Sequence, residues 1–334
     1  MKNSIVAIVL VIIILASFYG GFALSKYQEN SNSGTNSTTG TNLNNHAFYI
    51  TVIDDENNIV KIKQPVNRIV SLAPSCTEIA FSIGLGPRIV GDTIYDEFPP
   101  QAVNITKIGG VTNVSVEKVI ELNPNLVLAY GGLSNPNTIT QIEQAGIPVI
   151  IMNPSNLLDI LHDVMILGYA TNTTANATKV VNTIENFMTD LYNATSSIVN
   201  RSTVFYLGWY PDMYTAGEDT FINDMIVEAG GINIASAGYS WFIMNPETLV
   251  EENPQWILVS QNQYSMLQEF ENNSAFQNIT AVRLHHFIIL DDYYIEEPGP
   301  QMFVGVEILF QTMYPNLANE IPKITLQELF PGNV

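Results

Sequence analysis

Cysteine is almost absent: Cys76 is the single one in 334 residues. That excludes an intramolecular disulfide framework, a Cys-based structural zinc site and an iron–sulfur cluster. Cations are scarce too, with 12 Lys and Arg against 32 Asp and Glu and a formal charge of −20. Neutralising phosphates takes clustered Lys and Arg, so nucleic acid is excluded as a partner. Adhesion to anionic lipid through a basic patch is excluded on the same ground. Charged residues are 13 % of the chain, well below the usual share, and Asn, Ser, Thr and Gln supply the polarity instead. Catalytic signatures are missing as well. No His-Glu-x-x-His, Gly-x-Ser-x-Gly or Gly-x-x-x-x-Gly-Lys occurs. Cys76 as a nucleophile would need a positioned base, and the sequence places no histidine near it. Among the histidines, His46 lies in a polar stretch and His162 reads as a helix position. His285 and His286 would point to opposite faces at the start of a strand, so they cannot easily chelate one ion. Neither catalysis, a resident metal nor a cofactor is expected.

What is present begins with Ile5–Leu24, 20 residues without a charge. As a helix this run spans about 30 Å, the thickness of a bilayer core. Residues 1–25 read as a transmembrane anchor, or as a secretory signal with Gly21-Phe22-Ala23 as a small-residue cleavage site. No lipobox cysteine is present. Residues 26–46, rich in Ser, Thr and Asn, have almost nothing to bury and read as a flexible tether. Either reading of the N-terminus exports the rest of the chain. Nine Asn-x-Ser/Thr acceptors agree with export: Asn36, Asn104, Asn113, Asn172, Asn176, Asn193, Asn200, Asn272 and Asn278. Few charges and many neutral polar groups also suit an acidic exterior.

The folded part starts near Phe48. Short apolar runs alternate with helical patterns. Strands are predicted at 68–72, 88–91, 126–130 and 148–152, then at 203–207, 256–259 and 286–290. Ser75-Cys76-Thr77-Glu78 reads as a capping box opening a helix that stops at Gly84 and Gly86. Other helices are predicted near 115–123, 136–145 and 156–170, then near 220–229, 247–253 and 301–314. Between the two sets, Val180, Ile184, Phe187, Met188, Leu191 and Ile198 keep helical spacing along one amphipathic helix over 174–199. An echo joins the two sides. Glu117-Lys-Val-Ile-Glu121-Leu-Asn123-Pro124 and its following strand match Glu247-Thr-Leu-Val-Glu251-Glu-Asn253-Pro254 at one constant offset. The pattern predicts an α/β protein of two lobes, 47–172 and 202–334, with mainly parallel sheets flanked by helices and joined by a long helix at 173–201. A cleft between such lobes, at the carboxyl ends of the strands, is where a ligand would bind.

Arg68-Ile-Val-Ser-Leu-Ala-Pro-Ser-Cys-Thr-Glu78, Gly84-Leu-Gly-Pro-Arg-Ile-Val-Gly91, Tyr95-Asp-Glu-Phe-Pro-Pro100 and Lys107-Ile-Gly-Gly110 resemble the N-lobe of vitamin B12 and ferric-siderophore substrate-binding proteins of ABC importers. Tyr214-Thr-Ala-Gly217, Glu228-Ala-Gly-Gly231-Ile-Asn233 and Pro298-Gly-Pro300 fit the C-lobe of the same family. The resemblance covers about residues 47–334. It implies a monomeric binding protein with small interdomain closure, docked on a permease and its ATPase through one carboxylate per lobe. Those positions match Glu117 and Glu247, although the Asn113 acceptor stands close to the first of them.

Residues expected to line the cleft are Ser75, Cys76, Tyr95, Gly109, Gly110 and Tyr130 from the N-lobe, with Trp209, Tyr210, Tyr214, Trp241, Tyr293 and Tyr294 from the C-lobe. Trp241 matches a cleft tryptophan of the B12-binding members. Aromatic faces suit a large planar ligand such as a corrin or haem. Anionic siderophores need cationic side chains, yet only ten Lys and Arg follow residue 46. Many relatives carry Arg on both sides of the Pro-Gly-Pro turn, where this chain has Glu297 and Gln301. Cobalamin is therefore the first expectation, ferric siderophore the second and haem the third. Tyr293, Tyr294 and Glu296 also offer oxygen donors for iron held directly. From another class, a surface glycoprotein without a transport role also fits the anchor, tether and acceptors.

Overall fold

Unbroken runs of Val, Ile and Leu become strands here because both faces of a parallel sheet are covered. The computed structural model describes residues 48–333. The expected anchor, the tether, His46 and the Asn36 acceptor lie outside the described residues. Among the described residues no helix is long and apolar enough to cross a membrane.

The chain opens with an antiparallel hairpin, β1 (Tyr49–Ile53) and β2 (Ile59–Lys63), each burying alternate residues. Then follow β3 (Ile69–Ser71), α1 (Pro74–Ser82), β4 (Ile89–Gly91), α2 (Val116–Glu121), β5 (Leu126–Tyr130), α3 (Pro136–Gln144), β6 (Val149–Met152) and α4 (Leu157–Ala170). The long helix α5 (Thr174–Thr195) comes next. The second half holds β7 (Thr203–Tyr206), β8 (Tyr214–Ala216), α6 (Phe221–Glu228), β9 (Ile232–Asn233), β10 (Trp241–Ile243), α7 (Pro246–Glu252) and β11 (Trp256–Ser260). It ends with α8 (Tyr264–Glu271), α9 (Thr280–Leu284), β12 (Phe287–Leu290), α10 (Met302–Met313) and α11 (Leu326–Leu329).

Two four-stranded parallel sheets result, in the orders β4-β3-β5-β6 and β9-β7-β11-β12. Numbered by appearance within its own half, each sheet reads second-first-third-fourth. The sequence echo falls on equivalent units, α2–β5 and α7–β11. In both, an asparagine ends the helix in the left-handed region, Asn123 at φ 47° and Asn253 at φ 45°, and proline follows. Asn tolerates that conformation and proline cannot continue a helix.

The largest core cluster crosses the molecule. It runs from Ile62 of the hairpin through Ile79 of α1 and Val180, Ile184 and Leu191 of α5 to Ile226, Phe310 and Phe330. The opposite faces of the sheets carry separate clusters, around Val70 and Val127 in the first and Phe205 and Ile257 in the second.

Two expectations are corrected. The capping box at Ser75 does not form. Pro74, with no N–H to lose, takes the first helical turn, so Ala73 becomes the N-cap and Ser75 lies inside the helix. The long helix stops at Thr195, short of 199. There the hydroxyls of Thr195, Ser196 and Ser197 donate to the carbonyls of Tyr192, Asn193 and Ala194 and compete with the helical ladder. The β1–β2 hairpin, the antiparallel β8–β10 pair, β9, α8, α9 and α11 are additions to the elements read from sequence.

Candidate ligand cleft

Strand order reverses between the first and third strand of each sheet, β3 with β5 and β7 with β11, and a crevice opens at the carboxyl ends of such pairs. The chain leaving β3 enters the halves' shared seam. Gly299 packs so closely on Glu78 that a Cβ there would stand 2.7 Å from the carboxyl carbon. Any Cβ between Pro298 and Pro300 would force the Glu78 carboxyl out of this seam. The next residue closes the seam, as Gln301 N donates to Glu78 Oε1 at 2.6 Å in a buried setting. Burial, with Glu297 close by, holds the Glu78 carboxyl well above the usual range.

On the N-terminal rim, Tyr95 is 58 % exposed and its ring lies against Gly110. Gly110 N donates to Asn113 Oδ1 at 3.0 Å, which fixes the turn. Beneath it, buried Asp96 accepts from the Thr93 hydroxyl and amide. Lys107 pairs with Asp92 at 3.0 Å. Burial still outweighs that lysine and pushes Asp92 up to about 7.

The C-terminal rim is aromatic. Trp241 stacks on Tyr214 with ring centroids 5.8 Å apart and 12° between planes. Tyr206 and Phe221 meet the same indole edge-on. A cavity of about 380 Å³ beside the stack is lined by Gly208, Trp209, Asp212, Tyr214 and Ile243.

Between the rims acidic side chains crowd together. Burial, then Asp96, Asp292, Glu296 and Glu97, push Glu297 up to about 8. Tyr293 reaches across the halves, its hydroxyl donating to Glu97 Oε2 at 3.3 Å. Burial and Glu97 push that phenol up to about 12. Glu296 accepts from Gln263 Nε2 at 2.8 Å, and with burial it raises the phenol of Tyr206.

Two α/β halves, each built on a four-stranded parallel sheet, with one long helix between them in the chain form an arrangement that known proteins share. The periplasmic binding protein family matches residues 69–294, from the first sheet through the end of the second. The chain belongs to that family. It is 31 % identical over 279 residues to an uncharacterised ABC transporter substrate-binding lipoprotein of Bacillus subtilis, covering 82 % of this chain and 88 % of that one. It is 24 % identical over 252 residues to a vitamin B12-binding protein of Photorhabdus laumondii, covering 75 % and 88 %. Among solved structures, a periplasmic haem-binding protein of Roseiflexus sp. RS-1 in apo form superposes with a TM-score of 0.67 at 26 % identity, covering 76 % of this chain and 99 % of that one. The family comprises substrate-binding proteins of transporters, not enzymes.

Within this periplasmic binding protein the residues named from sequence separate. Tyr95 joins Gly109 and Gly110 on one rim, Trp209, Tyr214 and Trp241 share the other, and Tyr293 stands between. Cys76 lies wholly buried in the core, and burial pushes its thiol up, so it lines no surface. Ser75 is buried as well. Tyr210 turns to Phe270, with centroids 5.8 Å apart, and its hydroxyl accepts from Asn273 Nδ2 at 2.9 Å, away from Trp209's cavity. Tyr130 and Tyr294 are half-buried; Tyr294 packs at the foot of α10 against Gly305. Sequence reading missed Asp96, Glu97, Tyr206 and Gln263. Tyr206 had a legible signal, since it ends the first strand of the second sheet, where the order reverses.

Glu117 and Glu247 are both exposed in the first turns of α2 and α7. Helix amides and the Ser115 hydroxyl, donating at 3.0 Å, hold Glu117 below the usual carboxylate range. The eight described acceptor asparagines are exposed. Three have engaged side chains: Asn113 at Gly110, Asn176 Nδ2 on Ile83 O at 3.0 Å, and Asn272 Nδ2 on Gln268 O at 2.8 Å.

Proposed function

We propose that the chain is the exported substrate-binding component of an ABC importer. It captures a metal chelate, foremost cobalamin or another corrinoid, between lobes 47–172 and 202–334 joined by the segment 173–201, which holds the helix Thr174–Thr195. It passes the chelate to a permease and its ATPase. The observation that carries this reading is the Trp241–Tyr214 stack beside the cavity that Trp209 lines. A flat aromatic face suits a large planar, partly apolar ligand. Carboxylates disfavour a strongly anionic ferric siderophore and tolerate a neutral or cationic chelate. The similarity to a vitamin B12-binding protein supports the same ligand. Tyr293, placed beside Phe98 at 5.9 Å, favours haem as the second reading.

Glu117 and Glu247 dock the protein on the permease, each entering a cationic pocket by charge-assisted hydrogen bonds. The N-terminal segment holds the chain at the extracellular face of the membrane, or releases it when cleaved. Asn104, Asn172, Asn193, Asn200 and Asn278, whose side chains make no hydrogen bond described above, are the preferred glycan positions. The test is calorimetry on the fragment starting at Phe48 with cyanocobalamin, a ferric siderophore and haem as parallel ligands. A one-to-one cobalamin complex that weakens in Trp241→Ala supports the corrinoid reading. Heat with an iron chelate or haem alone moves the cargo to iron.

A further inference from the structure

A second ligand set stands where the β1–β2 turn meets α4. Asp54 shapes the turn by accepting from the backbone amides of Glu56 at 3.1 Å and Asn58 at 2.8 Å. Two bonds fasten the turn to the end of β6, Ile151 N to Asp54 Oδ2 at 3.1 Å and Asn153 N to Asp55 Oδ2 at 2.6 Å. Asp55 Oδ1 is thereby left facing His162 Nδ1 on α4, 3.6 Å away. Asp163 follows on the same helix. One donor atom each from Asp55, His162 and Asp163 lies within 4.8 Å of the other two.

The independent observation is Asp163 itself. It is 1 % exposed, and its Oδ2 has no hydrogen-bond partner. An ionised carboxylate buried beside Asp55 is costly unless a cation pairs with it. Tetrahedral donors at about 2.1 Å from an ion stand about 3.4 Å apart, so Asp55 and His162 are already close to ligating separation. One imidazole with two carboxylates selects a first-row transition metal over calcium, which prefers six or more oxygens. The His162 side chain is 51 % exposed, which leaves a path for entry and room for a water ligand.

We propose that Asp55, His162 and Asp163 form a binding site for a divalent transition-metal ion that clamps the β1–β2 hairpin onto α4. None of these residues belongs to the chelate cleft, so the site holds whichever cargo the cleft takes. The clamp acts on the first element among the described residues.

The experiment uses the full-length chain stripped with a chelator and titrated with Zn²⁺, then with Co²⁺. The expected result is one equivalent of Zn²⁺, a higher Tm, and visible Co²⁺ ligand-field bands. His162→Ala should weaken binding by at least about tenfold. Asp163→Asn should do the same while keeping the buried volume, and both variants should keep a cooperative metal-free melt. Absence of a stoichiometric ion overturns the proposal. So does Zn²⁺ binding that survives His162→Ala but is lost in His285→Ala, because His285 pairs with Glu271 at 2.6 Å on another surface.

Discussion

The two halves carry the same sheet and different rims. Strand order is shared, and each third strand is led by a helix with an exposed first-turn glutamate and a left-handed Asn-Pro stop. Above the strand ends the likeness is lost. The first half offers one tyrosine on a Gly-Gly turn over buried carboxylates, whereas the second offers stacked Trp241 and Tyr214. The two halves share the framework and the proposed docking carboxylates, which would meet a partner through paired surfaces. The rims differ, which suits the proposed ligand if it lacks internal symmetry.

Removing the shared feature should have the largest effect. Glu117→Arg combined with Glu247→Arg should abolish uptake of labelled chelate while calorimetry finds its affinity for the protein unchanged; a lost affinity would refute a docking role. Next comes the seam that joins the halves. Gly299→Val forces a side chain into Glu78 and should cost about 3 kcal/mol or more, lowering Tm in a single calorimetric transition. The contrast between rims predicts unequal losses. Trp241→Ala should weaken ligand binding by about tenfold to a hundredfold, and Tyr95→Ala by less than about tenfold. Equal losses would mean that both rims grip alike.

The smallest effect concerns pH. Glu297 titrates at about 8 in the folded chain against an ordinary 4.5. Between those values the folded state holds a proton that the unfolded chain releases, so stability falls as pH rises through the window. Asp92 adds the same sign between 3.8 and about 7. The protein should melt higher at about pH 5 than at about pH 8. Glu297→Gln should narrow that gap by raising Tm on the alkaline side.

Much of the framework was legible because parallel strands buried on both faces write continuous apolar runs, as in Leu126–Tyr130 and Trp256–Ser260. The β1–β2 hairpin was less visible, since its alternation sits in short segments with exposed Ile53 and Ile59. At Ser75 the capping pattern lost to a stronger local rule, proline at the first helical position. The cleft was legible in its exposed aromatics and misleading at Cys76 and Tyr210. Side-chain direction after a strand depends on the loop that follows, and neighbouring Trp209 and Tyr210 part company there. The set of Asp55, His162 and Asp163 lay beyond sequence reading altogether, because a turn and a distant helix meet only in the folded lobe.

The core that passes through α5 from one half to the other has a kinetic consequence. Swinging the halves wide apart would strip apolar surface along the whole long helix, so the free protein has no cheap route to a gaping state. Under the proposed function, cargo would then enter a groove that is already formed. Emptying it quickly would be mechanical work for the transporter, levering on the two lobes at the proposed docking carboxylates.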